Sequence, residues 1–305
     1  MTYLGAVEGG GTKYLCVLAR GSDPATIVAS ARIDTTSPRE TLAQVVDFFR
    51  GHAIDGLGVA NFGPVELDPT QPMFGCVLDT PKAGWIGAPV LATLLDGLDL
   101  PADRARWELD VNAAAIGEYR SGSGRGLSPY VYITVGTGIG GGVLIDGVPV
   151  RGLLHPEIGH MPLPAITLPD GSTDTFRSGV CPFHDTCWES RATGPALAAR
   201  AGRPGADLAD DDPALDVEAR YLALGVAAVT LALSPRRIAL GGGVVESRVE
   251  WLLPRVRLYL VEALGGYIRR EAILDGAERY LVAPKWCDPS PGIVGALALA
   301  GDARG

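Results

Sequence analysis

The sequence predicts a two-lobed α/β protein built by internal duplication, and three observations predict it. In mid-chain, Ile133-Thr134-Val135-Gly136-Thr137-Gly138-Ile139-Gly140-Gly141-Gly142-Val143-Leu144 carries an apolar run into a glycine turn and out again. The chain opens with the same device: Leu4 to Val7, the turn Glu8-Gly9-Gly10-Gly11-Thr12-Lys13, and the return run Tyr14 to Ala19. The length, 305 residues, suits about two domains.

The run leaving the second turn stops at Asp146-Gly147, a turn signal, so it reads as a strand. That separates it from a Rossmann turn and from a P-loop, both of which feed a helix. Glycines at the tip let backbone N–H groups approach an anion without a Cβ in the way. Thr12 and Thr137 add hydroxyls at matching places. One such turn is a weak signal. Two, each with a threonine, point to a pair of hairpins that hold the phosphates of one nucleotide.

Composition narrows the classes. Apolar residues make up 47%, enough for a packed core. Lys and Arg total 26 against 35 for Asp and Glu, a net charge of −9, which argues against a nucleic-acid partner. The opening Met1-Thr2-Tyr3-Leu4-Gly5 has neither a basic nor an apolar leader region, so no signal peptide is expected. The longest apolar run, Tyr221 to Leu233, is shorter than the roughly 20 residues a membrane span needs. Five scattered cysteines give no disulfide framework, and a cytoplasmic protein follows as the default.

Taken in order, Ile27 to Arg32 continues the first sheet. Pro38 to His52 reads as an amphipathic helix with Leu42, Val45, Val46 and Phe49 on one face, capped by Thr36 or Ser37. Leu57 to Asn61 is a short buried strand running into the turn Phe62-Gly63-Pro64-Val65. Asp79 to Trp85 is a loop, in which Trp85 either lines a sugar site or anchors the loop on the core. Trp107 to Asp110 ends a strand, and Val111 to Tyr119 opens a helix. Asp110 sits at the junction, where it is either an N-cap or a base facing a cleft at the strand's end.

Arg120 to Pro129, rich in Gly and Ser, is the expected lobe boundary. The predicted lobes are 1–120 plus 291–305, and 121–290. Beyond the second hairpin, Pro162 to Gly179 is a polar loop ending in Cys181-Pro182-Phe183-His184-Asp185-Thr186-Cys187. C-x-x-H-x-x-C with an upstream His supplies four N/S ligands, the number a closed tetrahedral Zn²⁺ site requires. Such a metal would also keep a long loop ordered. Ala192-Thr193-Gly194-Pro195 opens a helix, and Asp207 to Asp216 reads as a solvated helix start. Val217 to Leu233 is a long apolar helix. Arg236 to Leu240 is a strand into Gly241-Gly242-Gly243-Val244, a glycine turn that precedes a helix and suits adenosine or phosphate. Tyr280 to Ala283 is a last strand, and Ser290 to Leu297 starts a closing helix.

Together these residues resemble the ROK family of bacterial sugar kinases, nearly end to end. The family's phosphate turns are similar to Glu8–Lys13 and Thr134–Gly142. Its catalytic aspartate, in a D-x-N-A-A-A-x-G-E pattern, falls on Asp110. Its sugar-binding E-x-G-H falls on Glu157 and His160, and Glu189 matches a further sugar-contacting Glu. Within the family, C-P-x-H-x-x-C, Thr80 to Trp85 and Phe62 to Val65 resemble the fructokinase subgroup. Two departures stand out: Glu8 replaces a common Asp, and Leu109 replaces the Asn of glucose-specific members.

The resemblance implies an actin/hexokinase-like (ribonuclease H-like) duplicated two-lobe fold and transfer of the ATP γ-phosphate to a hexose 6-hydroxyl, D-fructose first. Glucokinase, mannokinase and a non-catalytic sugar-sensing member are the alternatives. It implies Asp110 as base. MgATP would lie on Glu8, Gly9, Gly10, Gly11, Thr12, Lys13, Thr137, Gly138, Gly194, Gly241, Gly242, Gly243 and Val244. Sugar would meet Gly63, Pro64, Lys82, Gly84, Trp85, Asn112, Glu157, His160 and Glu189. A structural Zn²⁺ would sit on His160, Cys181, His184 and Cys187. Lobe closure would exclude water. A homodimer with no nucleic-acid or membrane partner is expected. Repressors of the family carry a DNA-binding segment ahead of the first turn, where only seven residues precede Glu8.

Overall fold

The computed structural model describes residues 2–303; Met1, Arg304 and Gly305, which the predicted lobe boundaries include, lie outside the described residues. The chain divides into two compact units. The first runs to Gly126 and includes Val148–Leu154 and the chain from Lys285 onward. The second is Leu127–Gly147 with His155–Pro284.

In the first unit, β1 (Tyr3–Gly9), β2 (Lys13–Ala19), β3 (Ile27–Asp34), β4 (Ile54–Asn61) and β5 (Ala105–Leu109) lie in the order β3-β2-β1-β4-β5. β1 pairs antiparallel with β2 and parallel with β4, and β4 pairs parallel with β5. Alternate residues of β1 serve opposite faces. Val7 joins a core with Leu42, Val45 and Phe49 of α1 (Pro38–Phe49) and Leu91 and Leu94 of α2 (Val90–Leu98). Leu4 and Ala6 pack instead with Ala113 of α3 (Asp110–Ser121) and Ile293, Ala296 and Ala300 of the last helix, α10 (Pro291–Ala303). That second face is built on missing side chains. A Cβ on Gly58 would lie 1.9 Å from the Ala296 carbonyl oxygen, and one on Gly295 would lie 1.7 Å from that of Ala113. Glycine there lets α10 approach β4 and α3 backbone to backbone.

The helix α1 starts as expected, with Ser37 Oγ accepting the Glu40 N–H at 3.3 Å. It stops at Phe49 and not His52, because Gly51 turns into the left-handed region at φ +84°. The sequence reading did not anticipate α2, which lacks a side-chain cap at its start.

In the second unit, β6 (Tyr130–Val135) pairs antiparallel with β7 (Ile139–Ile145). The two-residue β8 (Val148–Pro149) falls in the segment that belongs with the first unit. β6 also pairs parallel with β9 (Arg237–Gly241), which pairs parallel with β10 (Leu281–Val282). The order β7-β6-β9-β10 and its directions repeat β2-β1-β4-β5 of the first unit. The helices are α4 (Trp188–Arg191), α5 (Gly194–Ala201), α6 (Pro213–Leu233), α7 (Gly243–Glu246), α8 (Val249–Ala263) and α9 (Glu271–Leu274). The acidic Asp212 caps α6, its Oδ1 accepting the Ala214 N–H at 2.9 Å, so the helix begins before Val217.

The division after Gly126 and before Lys285 is matched by the bonding on either side. Pro129 already accepts the Arg236 N–H at 2.7 Å, and Ser128 Oγ lies 2.8 Å from Asp146 Oδ1. Past Lys285 the chain is tied to α3: Lys285 Nζ donates to the Ser121 carbonyl and the Trp286 N–H to Glu118 Oε1, each at 2.8 Å.

Candidate active site

The first hairpin is held from one side. The Gly10 N–H donates to the Lys13 carbonyl at 2.8 Å, closing the turn. Thr35 donates its N–H to the Thr12 carbonyl at 3.0 Å and its hydroxyl to that of Gly10 at 2.7 Å. The carbonyls of Gly10, Thr12 and Lys13 thereby each accept a hydrogen bond. Among the described residues the N–H groups of Gly11 and Thr12 have no acceptor, which leaves a donor pair at the tip. Gly9 is needed for packing: its Cβ would fall 2.4 Å from Asn61 Oδ1 and 2.5 Å from Tyr14 Cζ. Glu8, at the end of β1, accepts from Ser290 Oγ beside the first turn of α10. Gly292 makes the room, since a Cβ there would meet Glu8 Oε1 at 2.3 Å.

Asp110 is half-buried and is the first residue of α3; Leu109 occupies the cap position. Its Oδ1 accepts the Val111 N–H at 2.8 Å. Burial, then the charges of Cys16 and Asp110, raise the Tyr14 hydroxyl well above its ordinary pKa. That hydroxyl donates to Asn61 Oδ1.

Glu108 is a residue the sequence reading passed over. It is 1% exposed, accepts the Leu109 N–H and Asn112 Nδ2 at 2.9 Å each, and pairs with Arg151. Asn112 is thus held by its amide nitrogen, and its buried Oδ1 has no hydrogen-bond partner among the described residues. The signal was present, since an acid inside the apolar run Trp107-Glu108-Leu109 needs a buried partner. The partner, 43 residues away, was not legible.

Other predicted sugar contacts of this unit fall differently. Trp85 is fully buried, its ring stacked 5.7 Å from Tyr14 and edge-on to Phe62, and its Nε1–H donates to the Thr36 carbonyl at 2.9 Å. It anchors the loop and offers no face to a sugar, which corrects the sugar-platform expectation. Lys82 Nζ donates to the Thr35 carbonyl at 3.2 Å, beside the first hairpin. Gly63 and Pro64 are half-buried; Gly84 is exposed in the left-handed region at φ +78°.

In the second unit, the Gly136 N–H donates to the Gly138 carbonyl, and the Gly194 N–H donates to the Gly136 carbonyl, both at 2.9 Å. Gly194 opens α5, capped by Thr193. The hairpin tip and the helix start are therefore one assembly. Thr137, Gly194, Gly243 and Val244 line a cavity of about 550 Å³ with Leu197, Leu215 and Leu252. Gly241 and Gly242 are packing positions. Gly242 sits at φ +88°, where a Cβ would strike the Val135 backbone at 2.5 Å, and one on Gly241 would reach Pro284 at 2.9 Å. Gly138 faces Glu189, whose Oε2 accepts the Ile139 N–H at 3.1 Å and would lie 2.6 Å from a Gly138 Cβ.

Glu157-Ile158-Gly159-His160 lies directly on β7. Ile158 fills the space above Gly141, and a Cβ on Gly159 would sit 2.0 Å from the Ile139 carbonyl oxygen. Burial raises the Glu157 carboxyl above its usual pKa; His160 opposes this and Glu189 adds to it. The three predicted sugar residues of this unit thus share one electrostatic neighbourhood. His155 Nδ1 lies 3.2 Å from Glu157 Oε1.

His160, Cys181, His184 and Cys187 converge, their ligand atoms all within 4.8 Å of one another. Cys181 Sγ is 3.6 Å from His160 Nδ1 and 3.7 Å from His184 Nδ1. Tetrahedral coordination with metal–ligand bonds of about 2.0–2.3 Å sets ligand–ligand edges of about 3.3–3.8 Å, which those two separations match, so the residues fit a metal of this kind. A second clamp was missed. Asp174, 3% exposed, takes two bonds from Arg200 (2.8 and 3.1 Å), one from the Tyr221 hydroxyl (2.6 Å) and one from the Phe176 N–H (3.1 Å). Burial pushes its carboxyl up, but those partners outweigh it and hold the pKa at about 2.

The two sheets, repeating one strand order, define the duplicated two-lobe α/β fold of the actin/hexokinase-like (ribonuclease H-like) class. The chain belongs to the ROK family, whose model matches residues 4–303. It is 37% identical over 297 residues to a fructokinase of Pediococcus pentosaceus, covering 97% of each chain. It is 36% identical to a putative fructokinase of Bacillus subtilis (strain 168), covering 97% of this chain and 95% of that one. Among solved structures, a ROK family glucokinase from Streptomyces griseus, in complex with glucose and AMPPNP, superposes with a TM-score of 0.71. It is 25% identical, with 98% and 99% of the chains covered. Among the described residues no helix is long and apolar enough to cross a membrane.

Proposed function

We propose that this chain is an ATP-dependent kinase that phosphorylates the 6-hydroxyl of a hexose, D-fructose above others. The observation that carries the reading is the full-length likeness, at 36 and 37% identity, to proteins named as fructokinases. Asp110 accepts the proton of the primary hydroxyl as that oxygen attacks the γ-phosphorus. The new O–P bond forms as the bond to the β,γ-bridging oxygen breaks, and ADP leaves. What supports this role is the D-x-N-A-A-A-x-G-E run that Asp110 opens at the head of α3. Phosphoryl transfer needs mainly positioning and charge neutralisation. The free N–H groups of Gly11 and Thr12 supply donors for phosphate oxygens, as does Thr137. Mg²⁺ would neutralise phosphate charge there, and Glu8 is the residue that would hold it, through water.

Asn112 Oδ1, buried and orphaned while its amide is held by Glu108, is an acceptor waiting for a sugar hydroxyl. Glu157, His160 and Glu189 provide the remaining sugar contacts. His160, Cys181, His184 and Cys187 hold a structural Zn²⁺, favoured by the two thiolates and two imidazoles. The protein works as a cytoplasmic homodimer, to be checked by light scattering. The test of function is ATP-dependent phosphorylation over fructose, mannose, glucose and N-acetylmannosamine. Fructose is expected to give the highest kcat/KM. A glucose or mannose preference would replace the fructose reading, and no turnover on any sugar would leave a non-catalytic sugar sensor.

A further inference from the structure

Glu218 lies on α6, one turn from Leu215, and both line the 550 Å³ cavity of the second unit. It is 2% exposed, and its carboxyl forms no hydrogen bond with any described residue; Oε1 is wholly buried. Leaving such a group without a hydrogen bond costs stability. Burial pushes its pKa well above the carboxylate range, with Arg200 only partly opposing. At this depth burial favours the neutral carboxylic acid, which presents an O–H donor beside a C=O acceptor. A neutral acid does not repel a polyphosphate held in the same cavity.

The lining divides by chemistry. Thr137 offers a hydroxyl and a free N–H, which suit phosphate, whereas Leu197, Leu215 and Leu252 offer apolar surface, which suits a flat ring. Resting on the kinase reading above, we infer that Glu218 recognises the purine base of the nucleotide, its carboxyl both donating to and accepting from the ring's nitrogen edge. Adenine carries an N–H donor next to a ring-nitrogen acceptor, a complement to this pair. No part of the phosphate or ribose binding depends on Glu218.

The test is titration calorimetry of the full chain with ADP, 2′,3′-dideoxy-ADP and pyrophosphate, each with Mg²⁺, for the wild type, Glu218→Leu and Glu218→Gln. Glu218→Leu is expected to weaken ADP and dideoxy-ADP alike by about tenfold or more and to leave pyrophosphate affinity unchanged. Glu218→Gln keeps a donor and an acceptor on the same frame, so ADP affinity returns to within about threefold of wild type. Unchanged ADP affinity in Glu218→Leu overturns the inference. So does an equal loss with pyrophosphate, which marks a structural role, or a loss absent with dideoxy-ADP, which marks a ribose contact. Thermal unfolding checks folding, and removing an unpartnered buried acid is not expected to lower the midpoint. None of these readouts needs turnover. A protein that binds ADP through Glu218 but phosphorylates no sugar defeats the kinase reading alone; an active kinase whose ADP affinity ignores Glu218 defeats this inference alone.

Discussion

The two hairpins share a backbone and differ in what surrounds them. At β1–β2 the turn is clamped by Thr35, and the neighbouring acids are Glu8, held by Ser290, and Asp110 at the head of α3. At β6–β7 the turn is bonded to the start of α5 and to Glu189, beside an apolar-floored cavity and a Cys/His cluster. Duplication has kept the strand order and the glycine tips. On the proposed function, the first copy would carry the groups for proton and magnesium chemistry. On the same reading, the second would carry the nucleotide cavity and, with a metal bound at the Cys/His cluster, the cross-link that holds a long loop in place.

This division of labour can be broken most forcefully at Asp110. Asp110→Asn should lower kcat by about 10³-fold while the sugar Kd, measured by calorimetry, shifts only a few-fold. Near-normal turnover would leave the first unit without its chemistry.

The next largest effect lies in the second unit. Cys181→Ser with Cys187→Ser should abolish zinc stoichiometry in metal analysis, raise the sugar KM, and lower the unfolding midpoint by about 5 °C or more, the shift that about 2 kcal/mol produces in a domain of this length. ADP affinity should persist. Zinc retained at full stoichiometry in the double variant would rule out the metal site.

Asp174→Asn strips Arg200 and also Arg191, whose Nη1 lies 3.4 Å from Asp174 Oδ2, of their buried partner and should cost about 3 kcal/mol in denaturant unfolding. The pH sign follows from its depressed pKa of about 2. Its contribution is present above the ordinary value of 3.8 and is lost as pH falls towards 2, so wild type and variant should converge in acid.

The smallest effects sharpen the contrast between glycines. Gly242→Ala, at φ +88° against the β6 backbone, should cost about 1–3 kcal/mol. Gly11→Ala meets nothing within 4 Å and should leave the midpoint unchanged while raising the KM for ATP.

Much of this was legible in the sequence because it is local. Glycine and threonine at a strand-to-strand turn require little beyond their neighbours to be read, and so does C-x-x-H-x-x-C. The helix α2 was missed because Pro89 provides no side-chain cap and its apolar residues lie inside a loop-like context. Trp85 illustrates the other limit. An indole on a loop is equally compatible with a sugar platform and a core anchor, and only Tyr14, Phe62 and the Thr36 carbonyl, brought in from elsewhere in the chain, decide for the anchor. Asp174 and Glu218 are not legible for the same reason: a buried acid is defined by partners, or by their absence, and Arg200 and Tyr221 stand far along the chain from Asp174.

The central claim is tested most directly by ³¹P NMR of the wild-type protein incubated with MgATP and D-fructose. The account predicts ADP together with a phosphate ester on the 6-oxygen in equal amounts. ATP left intact, or phosphate appearing free in solution in place of the sugar ester, would contradict it.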